Sequence, residues 1–182
     1  MTKTPQLTRR EKLGNVVNLC RSFGRNLAYY RAGWNDEHRH LLEMTNLVSV
    51  AFWRAVNGNF IDMCVLEWCK LFAEKKREYY WKNISRDAAG FKNDLLLHVG
   101  LDQEAFNKQV HIIREYRDKW VAHLDVERTG FRPELEVAKK SVWFYYQRLV
   151  HQEPDLSGLP AELQTGYEQC VEEAKAVYRG YH

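Results

Sequence analysis

At 182 residues, 45% hydrophobic and 28% charged, the chain has the length for one core and a globular composition, neither disordered nor fibrous. A net charge of +3 is too mild to mark a dedicated duplex-DNA binder, though it does not exclude nucleic acid. With 4 Pro and 10 Gly the chain lacks the punctuation of many short strands, and no uncharged apolar stretch approaches the roughly 20 residues of a membrane span.

Helical periodicity dominates in chain order. The first segment runs from about Thr8 to Tyr30, with Leu13, Val16, Val17, Cys20, Phe23 and Leu27 at steps of three and four, and Gly33 ends it. Asn35 or Asp36 can cap a second helix, which runs to about Val56 and stops at the turn signal Asn57-Gly58-Asn59. A third helix, about Phe60 to Trp81, opens with FIDMCVLEWCKLF and is apolar on most sides until Lys75, which predicts a place in the middle of the bundle. A short helix covers about Arg86 to His98 and stops at Gly100. Asp102 then caps a long helix from Gln103 to about Leu124. After a loop through Thr129-Gly130, Pro133 suits the first turn of a helix ending near Val150, and Pro160 can open a last one to about Tyr178.

Long helices joined by short turns predict an all-α, up-and-down bundle of about five to seven helices, one domain over residues 1–182. Basic residues crowd the beginning and the stretch Lys75 to Lys92, whereas acids crowd the end. Such charges ordinarily sit on solvated helix faces, and a shallow basic groove is the alternative. The abundant aromatics (6 Trp, 10 Tyr) predict a heavily packed core plus a subunit contact. Cys20, Cys64, Cys69 and Cys170 form no C-x-x-C pair and lie in apolar helical patterns, where a free thiol acts as a small hydrophobe. The opening MTKTPQLTRREK has no signal-peptide apolar run, so a cytoplasmic protein with reduced thiols is expected.

One helix breaks its own pattern. Phe106, Val110, Ile113, Trp120 and Leu124 form an apolar stripe, and the position that completes it is Arg117. A guanidinium on a core-facing stripe costs free energy unless it is paired or reaches a cleft. His123 stands six residues on, about 9 Å along a regular helix axis, near enough for both side chains to reach one phosphate. Asp118 and Asp125 can orient the imidazole or pair with the arginine. The bland reading is that Arg117 snorkels to water and His123 favours the negative helix end.

The segment REYRDKWVAHLD (114–125) resembles the signature of the HEPN superfamily: an Arg, a polar residue, a few mostly apolar residues and a His. Here these are Arg117, Asp118, the stretch from Lys119 to Ala122, and His123. The Ala-His-Leu-Asp ending is most similar to the abortive-infection (AbiU-type) branch. The apolar stretch before Lys70-Leu71-Phe72 resembles that branch's earlier core helix. The match covers this one segment, and the rest agrees as a bundle of the right size. The resemblance implies a metal-independent endoribonuclease of a defence or toxin type, without cofactor, in which a homodimer cleft combines Arg and His of both subunits. Arg117 would neutralise the scissile phosphate and His123 would act as general acid or base, supported by Asp118, Lys119 and Asp125. RNA, a second copy and an antitoxin protein are the partners this implies; a membrane is not. Asp125 stands where branches paired with a nucleotidyltransferase antitoxin carry Tyr, which argues against control by tyrosine adenylylation. The alternative is a non-catalytic helical module that binds RNA or a protein.

Three other features carry less. Asp36-Glu37-His38-Arg39-His40 with Glu43 is metal-like, but it lacks a partner Glu-x-x-His and has a cation in its middle, so no metal is expected. Glu78-Tyr79-Tyr80-Trp81 beside Lys75, Lys76, Arg77 and Lys82 could form a single-strand surface, or simply an aromatic helix end packing on a neighbour. Trp143 to Tyr146 reads as core or dimer contact, and His98, His111 and His151 as structural.

Overall fold

The computed structural model describes residues 7–34, 47–121 and 132–179. Among them the chain is all-α: seven α-helices, one π turn and one short 3₁₀ turn. No helix among them is long and apolar enough to cross a membrane. Helix α1 (Arg9–Gly33) starts at a capping box, Thr8 accepting from the Glu11 N–H while the Glu11 carboxylate accepts from the Thr8 N–H. Its whole predicted stripe, Leu13 through Leu27, is buried. Against α1 pack α2 (Leu47–Phe72) and the last helix, so α1 is the axis of the bundle.

The turn expected at Asn57-Gly58-Asn59 does not form, and α2 runs straight through it. Tertiary packing overrides the turn propensity, which for a helical Gly amounts to about 1 kcal/mol. Asn57 is buried against the end of α1, its carboxamide turned so that its nitrogen donates to the Tyr30 carbonyl and its oxygen accepts from the Trp34 indole N–H. Gly33 makes the approach possible, because a Cβ there would stand 2.9 Å from Asn57 Cγ. The expected start of the second helix, at residues 35–46, lies outside the described residues.

At its other end α2 stops at Phe72, well before the expected Trp81. The N–H groups of Ala73 and Glu74 both return to the Cys69 carbonyl, at 2.9 Å each, and close the helix. The exposed run Lys75-Lys76-Arg77 follows as a turn, with the carbonyls of Lys75 and Arg77 taken up by the Asn83 carboxamide. Then come α3 (Trp81–Ile84), α4 (Ala88–Val99) and α5 (Gln103–Tyr116). Gly100 terminates α4 with φ +73°, a conformation glycine adopts without a Cβ penalty, and Asp102 caps α5 through the Ala105 N–H.

The π turn Arg117–Val121 continues α5, followed by α6 (Glu136–Gln152), the 3₁₀ turn Pro154–Leu156 and α7 (Gln164–Arg179). Pro133 and Pro160 precede these last two helices by a few residues and do not open them. The backbone carbonyl of Pro160 instead accepts from the Tyr146 hydroxyl, which fixes the linker onto α6.

Many of the aromatics build the core, whereas Phe52 is 59% exposed. Rings of Trp68, Phe72, Tyr145, Phe91 and Trp81 touch in sequence, with centroids 5.0–5.8 Å apart, and link α2, α6, α4 and α3. Two buried acids pin the surroundings. Glu153 holds Arg9 (2.5 Å) and Arg86 (3.0 Å), while Glu67 accepts from Ser22 and from Asn26 (3.3 Å).

Candidate functional site

Up to Tyr116 the last turns of α5 are regular, and Phe106 and Ile113 are buried as the stripe requires. Beyond it, the straight helix expected through Leu124 becomes a π turn from Arg117, with one residue more per hydrogen-bonded ring. The wider turn changes which side chains face inward. Tyr116, off the predicted stripe, is buried and donates its hydroxyl to Asp62 (2.8 Å), while Trp120 and Val121 both pack on the core. The 9 Å axial spacing from Arg117 to His123 assumed a regular helix, so it does not carry over. His123 and Asp125 themselves lie outside the described residues, as does the end of the stripe at Leu124.

Arg117 sits at the junction of α and π geometry. Its Nη1 is 2.9 Å from Glu74, just beyond the end of α2, and its Nη2 and Nε are 2.7 and 2.8 Å from Asp118 Oδ1. That fork is how the stripe tolerates a guanidinium: two carboxylates offset its partial desolvation. Burial alone would lower the Arg117 pKa, but the hydrogen bond to Asp118 and the neighbouring acids outweigh it, and the pKa is raised. The group is not sealed. The Arg117 side chain keeps 16% of its exposure, Glu74 25% and Asp118 52%, so the pair lies at a rim that solvent and solutes reach.

Lys119 turns to the solvent side and pairs with Glu115 (2.5 Å), one helical turn back. Arg117 and Asp118 are therefore together, and Lys119 has Glu115 as an ion-pair partner. Glu74 was missed by sequence reasoning because its contact to Arg117 spans 43 residues of chain and leaves no local signal. Cys69 is buried beneath this site; burial pushes its thiol up to about 12 although Arg117 pulls the other way, so it is an inert neighbour at neutral pH.

The aromatic-basic segment divides cleanly. Tyr80 and Trp81 are buried, with Trp81 stacked on Phe91 at 5.0 Å, so these rings are not open platforms for bases. Trp143 donates its indole N–H to Gln164, and Tyr145 and Tyr146 are core. His98 leans on Phe144, with ring centroids 5.4 Å apart. Among the described residues no group of three or more His, Cys, Asp or Glu could hold a metal ion; the cluster at 36–43 lies outside them. No protein-family model, curated protein or solved structure matches the chain.

Proposed function

We propose that this protein is a HEPN-like, metal-independent endoribonuclease of a defence or toxin type, acting in the cytoplasm as a homodimer whose cleft combines Arg117 and His123 of both subunits. The observation that supports it is the placement of Arg117: a guanidinium on an otherwise core-facing stripe, at a helix irregularity, and still partly open to solvent. π turns inside helices recur at functional sites. A guanidinium held in this way is preorganised to take a phosphate in exchange for one carboxylate.

In this reading the RNA 2′-oxygen attacks the adjacent phosphorus and the bond to the 5′-oxygen breaks, leaving a 2′,3′-cyclic phosphate and a free 5′-hydroxyl. His123 takes the 2′-proton or supplies one to the departing oxygen, which imidazole does near neutral pH. Arg117 neutralises the charge that grows on the phosphorane. The homodimer belongs to this reading through the resemblance. An antitoxin partner belongs to the same reading through the resemblance alone.

The test is RNA cleavage by purified protein in excess EDTA, comparing wild type with His123→Ala and Arg117→Ala, with folding checked by circular dichroism. Cutting by wild type alone supports the reading. Absence of cutting by folded wild type moves the assignment to the second reading, a non-catalytic helical module binding RNA or a protein. What favours that second reading is the occupancy of Arg117, whose donors already have Glu74 and Asp118 as partners.

A further inference from the structure

Ala73 and Lys75, the chain neighbours of Glu74, line a cleft of about 260 Å³ formed with α4 and α5. Three cations stand at its rim, Lys75 from the turn, Lys92 from α4 and Arg114 from α5, with the His111 imidazole of α5 beside them. All four are exposed, and no carboxylate is among the described residues lining the cleft. Among the described residues no ion pair engages Lys75, Lys92 or Arg114, unlike Arg117 and Lys119 nearby. A protein with a net charge of only +3 thus gathers unneutralised cations around one opening. The floor is apolar, from Phe106, Val110 and Leu96, and the amides of Gln103 and Asn107 add hydrogen-bonding groups to one wall.

We propose that this cleft is a subsite for single-stranded RNA, seating one nucleotide with its base over the apolar floor and its flanking phosphates on Lys75, Lys92 and Arg114. Charge and shape select this occupant. Converging cations from three elements suit the repeating phosphates of a flexible strand, and a cleft of about 260 Å³ has room for one base while the phosphates stay at its exposed rim. An acidic peptide would satisfy the cations but covers the floor only where an aromatic residue falls between its acids, whereas every nucleotide of a strand carries a ring beside its phosphate. Position supports the same choice: Lys75 adjoins Glu74 in the chain, and Arg114 lies one helical turn before Arg117. A strand lying in the cleft is led toward the Arg117 fork. The inference rests on the ribonuclease reading for its ligand class and adds to it the path of the substrate.

The experiment separates the two. Binding is measured by fluorescence anisotropy with a fluorescein-labelled, fully 2′-O-methylated single-stranded RNA, which lacks the nucleophile and stays intact. Wild type is compared with the triple variant Lys75→Gln, Lys92→Gln, Arg114→Gln, and with a matched-charge control, Arg10→Gln, Lys140→Gln, Arg179→Gln, at exposed positions elsewhere. The slope of log affinity against log salt is expected to flatten by roughly 1.4 in the cleft variant, about 0.7 for each of the two flanking phosphates that no longer meets a cation, and to hold in the control. Equal slopes in both variants overturn the subsite, as does absence of binding by wild type or equal competition from poly-glutamate. Cleft-dependent binding with unmodified RNA left uncut keeps the subsite and removes the ribonuclease reading. Normal cutting by the cleft variant does the reverse.

Discussion

Arg117 Nη1 lies 2.9 Å from Glu74 Oε1, an ion pair that ties the π turn after α5 to the chain just beyond α2. The pair holds two helix ends together and also sets how free the guanidinium is. The pair is mostly buried, and Asp118 remains on the guanidinium when Glu74 loses its charge, so the loss is on the order of 1–2 kcal/mol. Glu74→Gln is therefore expected to lower the unfolding midpoint modestly while releasing Arg117 from its main long-range acid. Affinity for 2′-O-methylated single-stranded RNA should rise, with a salt slope steeper by about 0.7 as Arg117 becomes free to neutralise one more phosphate. If affinity falls instead, Arg117 is not a phosphate ligand and its pairing is purely structural.

How α1, α2 and α7 cross gives a second expectation. A Cβ at Gly33 would lie 2.5 Å from Tyr178 Oη and 2.9 Å from Asn57 Cγ, closer than real contacts allow. Gly33→Ala should destabilise the protein by about 1–3 kcal/mol through overpacking. Gly14→Ala on the same helix meets nothing within 4 Å and should be neutral or stabilising by up to about 1 kcal/mol. Urea titration of both variants checks this, and equal midpoints would mean that the three-helix crossing at Gly33 has room for a methyl group.

The same crossing explains what a single sequence conveys and what it does not. The α1 stripe was legible because period and burial agree at every position, and Asp102 and Gly100 were legible because capping chemistry is local. The continuity of α2 was not, since the turn signal at Asn57-Gly58-Asn59 is overruled by a buried contact to α1, far away in the chain. At the site, the anomaly of Arg117 was visible as a charge on an apolar stripe, but its partner Glu74, the π turn and the gathering of Lys75, Lys92 and Arg114 each depend on packing between distant segments. Local rules find a residue that does not fit; only the fold shows what answers it.

Glu67 provides a pH-dependent expectation within the core. Its carboxyl is buried between α1 and α2, accepting from Ser22 and Asn26. Burial raises its pKa above the ordinary 4.5, and those two hydrogen bonds with the charges of Lys70 and Arg25 only partly offset the rise. The folded state therefore holds this proton more tightly than the unfolded state. As pH climbs through the ordinary value toward the raised one, the unfolded chain releases the proton first, and Glu67's contribution to stability falls. Above the raised pKa the loss is complete and constant. Glu67→Gln keeps an acceptor for Ser22 and carries no charge, so its stability relative to wild type should improve across that window and stay improved at neutral pH. Paired urea titrations at about pH 4 and about pH 7 read the difference, because these values bracket the start of carboxylate titration and the working range. A variant that loses stability relative to wild type between the two would mean that the ionised carboxylate is favoured by its surroundings, reversing the sign assigned to its burial.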